Sequence, residues 1–164
     1  MTDSDPFTIR PATRKDLPVL GRLGAMLMRT HYVFDERRFI MPAADAEEGY
    51  AWFLGTQMRD SDATVLVAED RATGAVVGYV YAALEPMSWK ELRDACGYIH
   101  DIAVDESRRR AGAASALMEA AMQWLREKGA PRVILGTASQ NEAGQRLFTA
   151  LGFRRTMIEM TREL

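Results

Sequence analysis

The chain has 164 residues, 48% of them hydrophobic and 27% charged, which is typical of one globular domain, 1–164. A formal net charge of −2 gives no overall attraction to nucleic acid or to an anionic membrane, so neither is predicted as a partner. A single cysteine excludes a disulfide within the chain, and with only two histidines we predict no metal site. The polar N-terminus lacks a signal core and no apolar run reaches roughly 18 residues, so we predict a cytoplasmic protein.

The first half of the chain predicts a strand, two helices and a β-hairpin. Thr13 or Asp16 can cap the first helical pattern, and Pro42 opens the second. Two alternating apolar runs around a turn at Gly74 predict the hairpin. The predicted bounds are a strand at Phe7–Arg10, helices ending near Thr30 and near Arg59-Asp60, and strands at Ala63–Glu69 and Ala75–Leu84.

Two connecting segments lack a clean period. His31 to Met41 mixes aromatic and charged residues, which suits either an acceptor-binding loop for an amine or simple packing against the core. Met87 to Cys96 is a connection that can hold a short helix around Trp89 to Arg93.

The second half alternates strands and helices. Polar residues four apart, from Ser115 to Glu127, leave the other faces of a long helix apolar. Gly129 and Pro131 end that helix. The predicted elements are a strand at Tyr98–Val104, this helix, a strand at Arg132–Gly136, a helix at Asn141–Leu151 and a final strand at Phe153–Met160. The order indicates one mixed sheet with helices on both faces.

The loop between the central strand and the long helix is suited to a phosphate. The first backbone N–H groups of a helix lack internal partners, and the helix dipole is positive there. Gly112 lets a ligand approach the main chain, and Arg108, Arg109 and Arg110 add charge. Neither the GxxxxGK[ST] of a P-loop nor the GxGxxG of a dinucleotide site is present.

Two motifs resemble one known family. Arg109-x-x-Gly112-x-Ala114, within AVDESRRRAGAASALM, resembles the Q/R-x-x-G-x-G/A pyrophosphate motif of the GNAT superfamily of CoA-dependent N-acetyltransferases. One strand later, Asn141 to Phe153 is similar to the family's N-x-x-[A/G]-x-x-L-[YF]-x-x-x-G-F segment. The resemblance implies the GNAT fold, an α/β fold with a mixed, mostly antiparallel sheet of six to seven strands and helices on both faces.

The resemblance also implies acetyl-CoA as co-substrate and a set of residues that bind it. The pyrophosphate would lie on the loop, the pantetheine would run beside the central strand, and Asn141 would meet the pantetheine or cap its helix. The implied set is Ile102, Ala103, Val104, Arg109, Arg110, Ala111, Gly112, Ala113, Ala114, Asn141 and Phe148.

The chemical obstacle is the acceptor's proton. A primary ammonium with a pKa near 10.4 costs about 4–5 kcal/mol to deprotonate at neutral pH. His100 is the best-placed base, since histidine titrates near neutrality and some relatives use histidines on this strand. Alternation puts Tyr98 on the same face as His100 and turns Asp101 away. Glu85 is a second candidate base or an ammonium contact.

One departure from the family pattern concerns the leaving group. Many relatives carry a tyrosine, thought to protonate the thiolate, where this chain has Phe148. Either Tyr79, Tyr81, Ser139 or water supplies the proton, or none is needed.

We therefore predict an N-acetyltransferase that uses direct attack of an amine on acetyl-CoA. The acceptor is a small-molecule or peptide amine, and the sequence does not distinguish a polyamine, an aminoglycoside, an amino acid and a protein amine. Whether the chain forms a homodimer also stays open. The alternative is a regulatory or interaction domain that binds CoA without turnover.

Overall fold

A mixed sheet of five strands, in the spatial order β1-β2-β3-β4-β5, organises the computed structural model, which describes residues 5–164. Strands β1 to β4 are antiparallel neighbours, and β5 is parallel to β4. The elements are β1 Phe7–Pro11, α1 Leu17–Phe34, α2 Ala46–Gln57, β2 Ala63–Asp70, β3 Val76–Glu85, β4 Cys96–Val104, α3 Ala113–Glu127, β5 Val133–Leu135 and α4 Glu142–Ala150. Short 3-10 turns lie at Arg14–Asp16 and Glu106–Arg108.

Each face of the sheet has its own apolar core, as expected for helices on both faces. On one face, α3 buries Leu117 and Leu125 against Val80 and Ile99. On the other, α1 and α2 bury Leu20 and Leu54 against the inward side chains of β2 and β3. We call the first the α3 face and the second the α1/α2 face.

The predicted final strand, Phe153–Met160, is wrong: no strand is assigned there, and the sheet has five strands rather than six to seven. A strand needs an edge to pair with, and β5, three residues long, offers a very short one. Met157, Ile158 and Met160 are consequently exposed.

The connection from Met87 to Cys96 contains no helix. Ser88 and Arg93 instead form an isolated antiparallel bridge with two backbone hydrogen bonds, of 2.8 and 3.0 Å. Leu92 has a φ of +50°, which interrupts any helix at this position. Two helix bounds also differ: α1 continues to Phe34, so His31 is helical, and α2 begins at Ala46.

A β-bulge interrupts the pairing of β3 with β4. Tyr81 pairs with Asp101 and the next residue, Ala82, pairs with Ile99, which leaves His100 as an extra residue on β4. Two successive residues of a bulged strand can then project toward the same face. Among the described residues, no helix has the length and apolarity needed to cross a bilayer.

A buried ion pair fixes the start of α1 to the edge of the sheet. Arg10 on β1 donates to both carboxylate oxygens of Asp16, at 2.8 and 3.0 Å, and also to Glu69 on β2. The Thr13 N–H donates to the same Asp16 carboxylate at 2.7 Å. These hydrogen bonds, above all the one from Arg10, lower the pKa of Asp16 to about 2.

We expect Asp16→Asn to lower the free energy of unfolding by about 2 kcal/mol at pH 7. A carboxyl whose pKa is lowered by folding stabilises the protein above its ordinary pKa and loses this contribution as the pH falls toward 2. The difference between the wild type and Asp16→Asn, measured by urea unfolding, therefore shrinks between about pH 4 and pH 2. A difference independent of pH contradicts this assignment.

Candidate active site

The loop before α3 exposes backbone amides that no side chain covers. Gly112, the N-cap of α3, has a φ of +91° and makes no side-chain capping bond. A Cβ built at Gly112 would meet nothing within 4 Å. Arg110 also has a positive φ, of 64°. The loop thus leaves the first N–H groups of α3 free for an anion.

The arginines of the loop have different partners. Arg108 is paired with Asp70 at the end of β2, so its charge is neutralised there. Arg109 donates from Nε to the carbonyl oxygen of Val104, at 3.4 Å, and lies across the end of β4. Arg110 is exposed, with no side-chain partner among the described residues. Arg110 is therefore the loop arginine most available to a phosphate.

The pairing between β4 and β5 ends part-way along β4. Their parallel pairing covers Gly97, Tyr98 and Ile99 on β4 and ends at Leu135 on β5. From His100 to Val104, β4 has no ladder partner on that side among the described residues. This edge leads from the free amides of the loop toward His100, and Ile102, Ala103 and Val104 lie along it. Their contact with CoA stays a prediction. An amide-bearing chain can pair with such an edge.

His100 lies in a stack of aromatic rings next to a carboxylate. Its ring lies between Tyr98 and Tyr81, with centroids 4.6 and 4.8 Å away. Its Nε2 lies 2.8 Å from Oε1 of Glu85, and both side chains are 31% exposed. Phe53 of α2 contacts Tyr81 edge-on. The structure therefore brings together His100, Tyr98 and Glu85, the three predicted catalytic residues.

Asp101 lies on the same α1/α2 face, where the sequence-based prediction had turned it away. Its carboxylate accepts hydrogen bonds from Tyr50 on α2, at 2.7 Å, and from Tyr79 on β3, at 3.1 Å. Burial raises the pKa of Asp101, and these two hydrogen bonds oppose the shift. Burial also raises the pKa of both tyrosines, so they stay protonated donors. Asp101 and Tyr50 were missed because nothing in the sequence marks the bulge.

Asn141 and Phe148, predicted to meet CoA, have structural roles. Asn141 caps α4, accepting from the N–H of Gly144 at 3.0 Å. Phe148 is 7% exposed in the core of the α3 face and contacts Phe153. Their contact with CoA stays a prediction. Within residues 5–164, no group of three or more metal-ligating side chains comes together.

The sequence matches the family model of the Acetyltransferase (GNAT) family over residues 27–153, well over half of the chain. The chain belongs to the GNAT family. Members of this family are acetyltransferases that use acetyl-CoA as co-substrate. A mycothiol acetyltransferase from Kocuria rhizophila is 24% identical over 126 residues, 77% of this chain and 39% of the relative. This GNAT chain thus spans about two fifths of that curated relative.

Solved structures share the GNAT fold across nearly the whole chain. A mutant of the BH1408 protein from Bacillus halodurans gives a TM-score of 0.79 at 23% identity, covering 96% of this chain and 99% of that one. AAC(6')-Iy, in complex with the bisubstrate analogue CoA-S-monomethyl-acetylneamine, gives 0.74 at 20% identity, with 96% and 97% covered. At these identities the likeness establishes the fold alone.

We expect Tyr50→Phe to lower the free energy of unfolding by about 1–2 kcal/mol, because it removes a hydrogen bond to a carboxylate away from bulk water. The ring itself is retained, so its packing on Gly24, where a Cβ would lie 2.0 Å from the ring, is unchanged. Tyr32→Phe on α1 is the control, since the Tyr32 hydroxyl bonds no described residue. Equal effects of the two substitutions in urea unfolding would contradict the role given to Tyr50.

Proposed function

We propose that this chain transfers the acetyl group of acetyl-CoA to a primary amine by direct attack. The observation that carries the proposal is the unpaired edge of β4, which runs from the open loop at Gly112 to the His100–Glu85 pair. The pyrophosphate binds the first N–H groups of α3 with Arg110 beside it, and the pantetheine amides pair with β4 between Ile102 and Val104. The thioester then reaches the edge of β4 near His100.

His100 takes the proton of the acceptor. With a proton on Nε2 donated to Glu85, the Nδ1 lone pair is free to accept the amine proton, directly or through water. The imidazolium that results keeps its hydrogen bond to Glu85. The amine nitrogen attacks the thioester carbon, a C–N bond forms, and the C–S bond breaks with its electron pair on sulfur. The excess proton on the nitrogen of the new amide passes to water. A backbone N–H of β4 near Val104 stabilises the oxyanion.

The leaving thiolate departs without a protein acid. Tyr79 donates its hydroxyl proton to Asp101 and Tyr81 donates to Gln57, at 2.9 Å. Ser139 donates to Gln140, and Phe148 has no proton to give. A thiolate with a pKa near 8.5 is stable enough to leave as it is.

A covalent acyl-cysteine is not part of the proposed mechanism. Cys96 is buried, and burial raises the pKa of its thiol despite a contact of 3.0 Å with Arg93. A buried thiol that stays protonated is a poor nucleophile. Direct transfer is therefore the route that the residues favour.

We expect CoA at about 100 times its dissociation constant to stabilise the wild type by roughly 2.7 kcal/mol. Gly112→Asp abolishes this gain, because the new carboxylate occupies and repels the phosphate position. Gly129→Asp is the matched control: Gly129 also has a positive φ, +82°, and open space around its Cβ, but lies at the other end of α3. A thermal-shift titration compares the three proteins. Equal gains in both variants would remove the loop from the proposal.

We expect His100→Ala to lower kcat/KM for the amine about 10²- to 10³-fold near pH 7 while the CoA stabilisation stays intact. The loss diminishes as the pH rises toward the pKa of the amine, since free amine needs no base. Glu85→Gln keeps an acceptor for Nε2–H and costs less. Release of free thiol from acetyl-CoA provides the assay. An undiminished rate in the His100→Ala variant would exclude His100 as the base.

A further inference from the structure

Hydrogen-bond donors from residues 5–164 reach only one oxygen of the Asp101 carboxylate. Both tyrosine hydroxyls, from Tyr50 and Tyr79, donate to the same atom, Oδ2. No hydrogen bond from a described residue reaches Oδ1. Because no fully buried side-chain oxygen in the described part of the chain lacks a partner, Oδ1 retains some solvent-accessible surface. The tyrosines thus hold a carboxylate in place and leave one of its oxygens free.

The free oxygen lies in a negatively charged, aromatic environment. The bulge places Asp101 next to His100 and on the same face, opposite Tyr81 of β3. The carboxylates that act on Tyr81 are Glu85, Asp101 and Asp60, and all three raise its pKa, after burial. Among the described residues, no lysine or arginine pairs with Asp101 or Glu85. An unpaired carboxylate oxygen in these surroundings favours a cation.

We propose that Oδ1 of Asp101 binds the ammonium group of the acceptor, and that the acceptor is an amine without a carboxylate beside its amino group. This inference rests on the proposed acetyl transfer. Asp101 orients the ammonium through a charge-assisted hydrogen bond, and His100 then removes a proton from the same nitrogen. The stacked rings of Tyr98, His100 and Tyr81 provide a π surface for the rest of the molecule.

The same charges disfavour α-amino acids. A carboxylate one carbon from the attacking nitrogen would lie close to both Asp101 and Glu85, and no lysine or arginine among the described residues is bonded to either. Repulsion between like charges in a partly desolvated site reduces binding strongly. The surroundings of Asp101 therefore select against amino acids among the acceptors left open by the sequence.

The test uses the full chain, acetyl-CoA and two matched pairs of amines: 2-phenylethylamine against phenylalanine, and isobutylamine against valine. Members of each pair differ by a carboxylate next to the amine. We expect at least one carboxylate-free amine to be acetylated about tenfold or more efficiently than its partner. Equal or better use of both amino acids overturns the inference, and this comparison requires only the wild type.

The variant Asp101→Asn tests the residue itself. Its amide oxygen can still accept both tyrosine bonds, while its NH₂ group repels an ammonium at the free position. We expect the KM of the preferred amine to rise roughly 10- to 100-fold with the KM of acetyl-CoA unchanged. Asp45→Asn, an exposed residue before α2 with no side-chain capping bond, is the control and changes neither constant. An unchanged KM for the amine in Asp101→Asn overturns the assignment.

Failure of the proposed function has a different signature. If no amine in either pair releases CoA thiol, the acetyl transfer proposed for these amines fails, and the inference is then decided by binding alone. Thermal-shift titration with the two carboxylate-free amines, in the presence of CoA, measures that binding. Stabilisation of the wild type that Asp101→Asn loses supports the amine site. No stabilisation of the wild type, or equal stabilisation of the variant, overturns it.

Discussion

The irregularity of β4 at His100 is the constraint on which the site depends. On the β3 side, the bulge inserts His100 as an extra residue; on the β5 side, the parallel pairing stops at Ile99, one residue earlier. A bulge increases the local twist of a strand, and this bulge lies next to the point where the pairing with β5 ends. One local distortion therefore accompanies both the exposed backbone edge and the grouping of polar side chains.

Polar contacts fix the α1/α2 pair to the sheet, and one of them is the hydrogen bond from Tyr81 of β3 to Gln57 at the end of α2. Arg10 and Asp16 fix the start of α1 to β1, and Tyr50 of α2 donates to Asp101 on β4. The two helices themselves approach closely, because Gly24 leaves room for the ring of Tyr50. Phe53, one turn further along α2, is thereby placed against Tyr81. These contacts fix the position of α2 against β3 and β4, next to Asp101 and Tyr81.

In the proposed anion site, the backbone N–H groups of the loop before α3 contribute more than its arginine side chains. Arg108 serves Asp70, and Arg109 lies across the end of β4, so only part of the loop's positive charge faces outward. Free N–H groups at a helix N-terminus keep their direction regardless of side-chain conformation. The proposed anion site therefore does not require a positive net charge, and this chain has a net charge of −2.

The sequence alone predicted the features that are formed by residues contiguous along the chain. The glycine-containing loop, the helix that follows it and the second motif from Asn141 to Phe153 are contiguous, so their pattern predicted the family and the placement of the loop. The alternation of β4 also predicted that Tyr98 and His100 share a face, and they stack. Glu85 was predicted as a candidate from its place at the end of β3.

Tertiary structure decided what depends on pairing between distant strands. The segment from Phe153 to Met160 has a strand-like pattern but no strand is assigned there, because a pattern cannot supply an edge. Asp101 was placed on the wrong face because strict alternation assumes a regular strand, and the extra residue at His100 is visible only against its partner on β3. Tyr50 and Tyr79 meet Asp101 from 51 and 22 residues away. The sequence determined which residues are present; the register of β4 determined which of them face one another.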